Sequence, residues 1–554
     1  MPVNTRAGSV LEDRLLLAAV ILLAAVSIGG MASSWTALSA TIDEPTHIWC
    51  GVEWLQNGIC AFDLQHPPLA RMVVGIGPYL HGARSPGGAA AEAANATLHS
   101  AGTFRGNVAL ARAGNLVFFL LACVAVFLWT RHVFDRRAAL WAVLLFVSLP
   151  PILGHAGLAT TDMASCATVV LALYALTRCV ETPSVARLAQ LGAALALAFL
   201  SKFSSAAFLG ACFASALVYF VVADRRRLAA WHRLPARIAI VSGIAFALAW
   251  AGYGFSTPSM AGLYAVTTHG TELNLPAVPP SDTLAGGMFR MPLPLSPAIK
   301  GMQELYSHNA RGHQSYLLGE ARGHGWWYFF PFVLAVKTPI GFLLLAAGGT
   351  FLVLRVLRTH SWQRHLAVIF PLAILCVCMA SKINLGVRHV LAIYPLLAAL
   401  AGYAAAELMA LARRRSPAIL AVPILLAAWV AADSWRAAPE YLAWFNRFAG
   451  AHPERLLAES DLDWGQDLYI LADRLKELGA GHVSIRYFGG TPLEDAGLPP
   501  FSPLPPDFPP SEPGYVAVSV RYVTLEYAAY RSFAWLQGLT PLEVVGKSIY
   551  LYRF

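Results

Sequence analysis

The sequence predicts an α-helical polytopic membrane protein of about eleven transmembrane helices, ending in a small α/β domain outside the bilayer. Three observations carry the prediction. Of 554 residues, 57% are hydrophobic types and 13% are Asp, Glu, Lys or Arg, with a mean hydropathy of +0.56; globular proteins hold about 25% charged residues. The apolar residues collect into runs that approach the roughly 20 residues a helix needs to span a bilayer. Residues 437–554 break that pattern. The composition excludes disorder, collagen and a disulfide-stapled secreted module, because most of the eight cysteines sit inside apolar runs. The net charge of +9 does not indicate nucleic acid, because the basic residues sit in short loops between those runs.

The runs lie near 15–35, 107–130, 138–153, 163–180, 188–200, 204–223, 237–254, 327–354, 366–380, 390–411 and 417–433, of which 188–200 is the shortest. Arg6 and Arg14 precede the first run and no small-residue cleavage site closely follows it, so it reads as an uncleaved span. Lys and Arg resist translocation and collect on the cytoplasmic side. With the N-terminus inside, that side holds Arg131, Arg136, Arg137, Arg178, Arg187, Arg225, Arg226, Arg227, Arg233, Arg237, Arg355, Arg358, Arg364, Arg413, Arg414 and Arg415. The short outer loops hold Lys202, Lys382 and Arg388. The C-terminal region is therefore expected outside a cytoplasmic membrane.

This divides the chain into a membrane body, 1–436, with large outer loops 36–106 and 255–326, and an extracytoplasmic domain, 437–554. Unstructured loops of such length are uncommon and are usually functional or disordered. In the last domain, Leu468, Leu471, Leu475 and Leu478 share a helical stripe, while Val483, Ile485 and Tyr487, and then Val516, Val518 and Val520, alternate as in strands. Ser548 to Phe554 reads as a final strand. The sequence shows no solenoid-type repeat.

Thr41-Ile42-Asp43-Glu44-Pro45-Thr46-His47 follows the first span directly. Two adjacent carboxylates at a water–membrane boundary stand where burial can tune one as a general base. The same residues also suit a helix start, with Asp43 as cap and Pro45 in the first turn. Asp63-Leu64-Gln65-His66-Pro67-Pro68-Leu69-Ala70-Arg71 comes next, and its prolines stop one helix at His66 and start another, holding His66 and Arg71 in a rigid turn.

The acidic pair, the Asp-x-x-His-Pro-Pro-Leu stretch and Arg112 in the second span resemble the protein O-mannosyltransferases. The wider group is the GT-C clan of lipid-carrier-dependent integral-membrane glycosyltransferases, which includes the lipid A aminoarabinose transferases. Ser381 to His389 and Ser460 to Leu468 look like segments of a bacterial subgroup of that clan. Arg71 stands where the mannosyltransferases usually have Lys, and the C-terminal region does not resemble their β-trefoil insert, so protein O-mannosylation is not implied. The resemblance implies a transferase that moves a sugar from a polyprenyl-phosphate donor to a glycan, lipid or protein acceptor on the outer face, with inversion. It makes Asp43 the base, with Glu44 beside it, and Asp162 a second carboxylate that orients the acceptor or a metal. Such a displacement needs a nucleophile relieved of its proton and a leaving group whose charge is neutralised.

The candidate cations for the phosphate are Arg71, Arg112, Lys202, Lys337, Arg388 and His389, with His66 beside them. A cation inside a span is costly and is usually paired, which singles out Arg112 and Lys337. Lys202 also suits snorkelling to headgroups, and Arg388 suits bidentate grip of a phosphate. Asp162, with Thr161, also suits a helix cap. His308, His313, His324, Glu304 and Glu320 form a candidate divalent-metal set without a tight ligand spacing, and their loop reads better as a lid anchored by Trp326 and Trp327. Asp461, Asp463 and Asp467 around Trp464 suit sugar contacts or a helix N-terminus. Cys50 and Cys60 are a candidate disulfide in an oxidising compartment, and Asn95-Ala96-Thr97 has the N-glycosylation pattern. Two rival readings are a secondary transporter, which would place polar sites at the midplane of repeated halves, and a non-catalytic polysaccharide-binding assembly protein of the cell envelope.

Overall fold

The computed structural model describes residues 3–60, 62–88, 91–224, 234–267, 278–355, 361–510 and 513–554. Arg225, Arg226, Arg227, Arg233 and Arg358, which enter the charge argument above, lie outside them.

In chain order the body begins with α1 (Val3–Ala37), α2 (Glu44–Asn57), α3 (Pro68–Leu80), α4 (Ala91–His99), α5 (Phe104–Val133), α6 (Arg136–Phe146) and α7 (Pro150–Ala156). It continues with α8 (Asp162–Glu181), α9 (Val185–Ser201), α10 (Ser204–Ala223), α11 (Leu234–Gly252), α12 (Met260–Thr267), α13 (Leu284–Arg290) and α14 (Ser296–Arg311). A hairpin of β1 (Ser315–Leu317) and β2 (Glu320–Arg322) leads to α15 (Phe329–Lys337), α16 (Ile340–Arg355) and α17 (Trp362–Met379). A 3-10 turn, Val387–Ile393, opens α18 (Tyr394–Arg414), and α19 (Ala421–Ala437) closes the body.

The protein is membrane-embedded and multi-pass. Among the described residues, 8 helices are long and apolar enough to cross a bilayer, or 10 if each of two bent pairs is one span. The shorter apolar helix α9 occupies the run near 188–200. The bent pairs depart from the sequence reading. The run near 138–153 breaks into α6 and α7 at 68° before Pro150-Pro151, and the run near 327–354 breaks into α15 and α16 at 119° around Thr338-Pro339. Proline lacks the N–H that would continue a helix. Lys337 therefore ends a short helix and does not lie inside a continuous span.

The first large loop is mostly helical. Gly51 and Gly75 let the backbones of α2 and α3 touch: a Cβ on Gly51 would lie 2.0 Å from the Arg71 carbonyl oxygen, and one on Gly75 would lie 2.6 Å from the Gly51 carbonyl carbon. Gly114 of α5 receives α3 in the same way, 2.8 Å from the Val73 carbonyl oxygen. Small residues permit this close approach where larger ones force helices apart. The asparagine of the glycosylation pattern sits in α4, with Thr97 buried and bonded back to the Ala93 carbonyl.

The C-terminal region folds as α20 (Leu468–Glu477) on a five-stranded sheet of β3 (Val483–Arg486), β4 (Phe501–Pro503), β5 (Tyr515–Ser519), β6 (Glu543–Val545) and β7 (Ile549–Arg553). The order is β4-β3-β5-β7-β6, with β4-β3-β5 parallel and β5-β7-β6 antiparallel. Leu468, Leu471 and Leu475 pack onto Val483, Ile485, Ala517 and Leu551, as the helical stripe and strand alternation require. The domain is latched to the body by backbone pairing. Ser39 and Ile42 donate to the carbonyls of Gln466 and Trp464, and Gly490 donates to Ala40.

Gly51→Val is expected to destabilise the body by about 1–3 kcal/mol, the usual effect of overpacking. Gly210→Ala, at a position where a Cβ would meet nothing within 4 Å, should leave the thermal transition of the detergent-solubilised protein in place.

Candidate functional site

A buried ion pair organises the end of the bundle that carries the C-terminal domain. Arg112 on α5 donates from Nε and Nη2 to the two Glu44 carboxylate oxygens at 2.8 and 2.7 Å. It also donates to the carbonyls of Ser34, Trp35, Leu38 and Ser39, where α1 ends. Helix C-termini leave carbonyls without intrahelical partners, and the guanidinium gathers them. Glu44 accepts in addition from the backbone N–H groups of Thr41 and Ala159, each at 2.8 Å. Burial works against its charged form, but Arg112 outweighs it and holds the carboxyl below its usual range. Glu44 and Arg112 thus hold each other and the backbone.

Asp43, the neighbour, is arranged differently. It occupies the N-cap position of α2, yet its side chain makes no capping hydrogen bond. Its Oδ2 accepts from Arg388 Nη1 at 2.8 Å, and the carboxylate is 34% exposed while Arg388 is 11% exposed. Arg388 lies 4.3 Å over the Trp464 ring, a cation–π arrangement, and its buried Nε has no hydrogen-bond partner among the described residues. Three distant segments therefore meet at Asp43: the exit of α1, the 3-10 turn before α18 and the C-terminal domain.

The first loop closes on Arg71. Its Nη2 bonds the Asp63 carboxylate, Nη1 donates to the Asp63 carbonyl at 2.7 Å, and Nε donates to His47 Nδ1 at 3.2 Å. His66 bonds Asp63 at 3.0 Å and meets the His47 ring edge-on at 4.9 Å. Burial opposes ionisation of Asp63, but Arg71 and His66 win and hold it well below the usual carboxylate range. Burial, reinforced by Arg71, pushes His47 well below the usual imidazole value, so it accepts from Arg71 as a neutral ring.

Asp162 opens α8 and accepts from Lys202 Nζ at 2.5 Å. Lys202 is thus ion-paired to protein and not simply extended to headgroups. The charges of Asp162 reach both His47 and His389, and those of Lys202 and Arg388 reach His389 as well, which makes one electrostatic neighbourhood of these groups. Lys337 stands apart: Nζ donates to the carbonyls of Leu442 and Asp461 at 2.7 and 2.6 Å, tying α15 to the C-terminal domain.

The second large loop contributes two histidines. His308 bonds Gln65 at 3.3 Å and His313 at 3.2 Å, and His313 feels the charges of Asp43 and Arg388. Burial and the adjacent His308 lower His313 to about 4. The metal set read from the sequence does not assemble. Glu304 pairs with Lys300, Glu320 pairs with Arg322, and among the described residues no three His, Cys, Asp or Glu side chains converge as ligands.

The acids of the Ser460–Leu468 motif are buried at the entry to α20. They bind backbone: Asp461 accepts from Val387 N–H, Asp463 from Arg521 N–H, and Asp467 from Lys547 and Ser548 N–H. Gly386, at φ +119°, gives Asp461 the space a side chain would fill. Trp464 is buried beneath Arg388 and is closed to a stacked sugar. A cavity of about 1210 Å³ lies between the β1–β2 hairpin and the C-terminal domain, lined by Tyr316, Arg455, Tyr527, Arg531 and Tyr550. Neither Asp43 nor its partners line it, and the concentration of charged groups marks the Asp43 cluster as the stronger candidate for chemistry.

His47 and Asp63 complete the cluster beyond the residues the sequence singles out as sites, and His313, read there as a metal ligand or part of a lid, joins it. His47 carries a signal, since it lies one helical turn from Asp43. Nothing in the sequence places His313 near Asp43, because only tertiary folding brings the two together.

With this geometry in hand, residues 103–253 match the family described as dolichyl-phosphate-mannose-protein mannosyltransferase. No curated protein sequence matches the chain. Among solved structures, the Archaeoglobus fulgidus oligosaccharyltransferase tethered to an acceptor peptide superposes with a TM-score of 0.53 at 13% identity, over 94% of this chain and 71% of that one. The Archaeoglobus fulgidus oligosaccharyltransferase AglB with an inhibitory peptide and dolichol-phosphate gives 0.50 at 14% identity, over 93% and 70%. ArnT from Cupriavidus metallidurans bound to undecaprenyl phosphate gives 0.49 at 16% identity, over 96% and 97%. The chain has the GT-C fold of the lipid-carrier-dependent membrane glycosyltransferases. In sequence it resembles the mannosyltransferase family over residues 103–253, and in fold it resembles the Archaeoglobus fulgidus oligosaccharyltransferase.

Glu44→Gln leaves Arg112 buried without a counter-charge and is expected to cost about 3–5 kcal/mol. Asp43→Asn, at a partly exposed pair, is expected to change stability by about 1 kcal/mol or less; thermal unfolding of the two variants separates the roles. A pH effect follows from the C-terminal domain, where burial pushes Asp463 up to about 8 and Asp467 up to about 6. The folded state then binds more protons than the unfolded one, so this contribution is present below about pH 4 and is lost as pH rises to about 8. Asp463→Asn should flatten that decline and melt higher than the parent at about pH 8.

Proposed function

We propose that the protein transfers a sugar from a polyprenyl-phosphate-linked donor to an acceptor on the outer face of the cytoplasmic membrane, with inversion at the anomeric carbon. The N-terminus is cytoplasmic and the C-terminal domain lies outside, as the distribution of Arg in the short loops favours. The observation that carries the reading is Asp43. It is an N-cap carboxylate that makes no capping hydrogen bond, partly open to solvent, ion-paired to an arginine whose Nε has no partner among the described residues. The family matched over residues 103–253 and the dolichol-phosphate in the AglB structure support the donor class.

In this mechanism the donor's isoprenoid tail lies among the helices and its phosphate meets Arg388, with Lys202 and His389 nearby. Arg388 turns part of its fork from Asp43 to the phosphate, which frees the carboxylate to face the acceptor. The acceptor oxygen attacks the anomeric carbon while Asp43 takes its proton. The bond from that carbon to the phosphate oxygen breaks, and the cations stabilise the charge that grows there. Asp162 holds Lys202 in place. Arg71 and His66 shape the first-loop wall through Asp63 and His47, and Glu44, Arg112 and Lys337 position the elements. A glycan, lipid or protein hydroxyl satisfies this chemistry equally.

The test is sugar transfer by membranes carrying single variants, paired with binding of polyprenyl phosphate. Asp43→Asn is expected to reduce transfer by about 100-fold or more while leaving donor-lipid binding within a few-fold of the parent. Arg388→Ala is expected to weaken both. Full transfer by Asp43→Asn would remove the base assignment, and unchanged lipid binding by Arg388→Ala would remove the clamp.

A further inference from the structure

Cys50 and Cys60 are fully buried in an apolar cluster with Trp49, Trp54, Phe203 and Tyr253, and their Sγ atoms are in contact at 2.6 Å. The other six cysteines, Cys123, Cys166, Cys179, Cys212, Cys376 and Cys378, all sit in membrane helices. This pair alone therefore lies in a loop that an oxidant outside the bilayer can reach during folding. Its position relative to the candidate site is specific. Cys50 follows His47 by one turn of α2, Cys60 precedes Asp63 by three residues, and His47 and Asp63 are both bonded to Arg71. A bond between the sulfurs would close the Arg71 network from its far side, joining α2 to the strand of chain that holds Asp63.

We infer that Cys50 and Cys60 form an intrachain disulfide, made by exchange with an oxidised dithiol carrier on the outer side of the membrane. The inference rests on the proposed outward placement of the loop joining α1 and α5, and not on the transfer reaction. One cysteine thiolate attacks the carrier's disulfide to give a mixed disulfide, and the other thiolate displaces the carrier sulfur. The two cysteines lose two protons and two electrons, and the carrier's disulfide becomes two thiols. Burial pushes the Cys50 thiol well above its usual value, so exchange belongs to the stage before the loop closes, when the thiolate is still accessible. Once the apolar cluster forms, the bond is shielded from reductants in the same way. It acts as a permanent staple of the platform beneath Asp43.

The full-length protein, taken from membranes without reductant, is denatured in N-ethylmaleimide and digested. The expected result is a Cys50–Cys60 linked peptide pair, lighter by two hydrogens than the two thiol peptides together, with both cysteines taking up label only after reduction. Alkylation of both in the first step would overturn the inference. An impermeant maleimide on Glu92→Cys in intact cells reads the loop placement separately. Labelled Glu92→Cys with free Cys50 and Cys60 sinks the disulfide alone, whereas unlabelled Glu92→Cys with free Cys50 and Cys60 sinks the placement with it. Reductant is expected to open the bond in denaturant but not in the native protein, and opening in the native protein would contradict the permanent staple.

Discussion

The architecture around the candidate site depends on one buried guanidinium. Arg112 collects four carbonyls at the end of α1 and both oxygens of Glu44. Without it, Glu44 would be buried with no counter-charge and the carbonyls of Trp35, Leu38 and Ser39 would lose the donor that gathers them. Satisfying backbone groups internally is the strictest demand a membrane places on a fold. Here the demand also sets the direction of Asp43. Because Glu44 points inward to Arg112, the adjacent Asp43 is left partly exposed, with its carboxylate free to meet a residue from elsewhere in the chain.

That residue arrives through the C-terminal domain. Backbone pairing of Ser39 to Ile42 with Trp464 and Gln466 fixes the domain against the exit of α1. Asp461 fixes it against the turn that carries Arg388. Trp464 then supports the guanidinium from below. The domain is thus part of the site's frame, and the distances at Asp43 depend on its docking. Charged groups gather at this end of the bundle, an arrangement that favours chemistry at the membrane boundary over a transport path with its binding site at the midplane.

Much of this was legible in the sequence. Apolar run lengths gave the spans, and the Leu stripe and Val alternation gave α20, β3 and β5, because both patterns follow directly from which side chains a packed element must bury. The two bent pairs were hidden because hydropathy records apolarity and not direction, although Pro150-Pro151 and Pro339 marked where direction changes. Strands β4 and β6 are three residues each, too short for periodicity, and Phe501-Ser502-Pro503 ends in a residue that suits only a sheet edge. Asp43 and Glu44 were legible as an acidic pair. That Glu44 faces Arg112 while Asp43 faces Arg388 was not, since a one-residue step around a helix start is decided by partners that lie 68 and 345 positions away. The acids near Trp464 read as sugar ligands or as a helix entry, because sequence shows side chains and not the backbone N–H groups that those acids turn out to hold.

The central claim is that a lipid-borne phosphate replaces Asp43 as the partner of Arg388. The most direct measurement is an experimental structure of the full chain in a lipid bilayer mimic with polyprenyl phosphate bound. The expected result is phosphate oxygens within hydrogen-bonding distance of Arg388, the isoprenoid chain running between helices from that end of the bundle, and the Asp43 carboxylate released from Arg388. A phosphate seated at the opposite end of the bundle, or a closed Asp43–Arg388 pair with the lipid bound elsewhere, would contradict it.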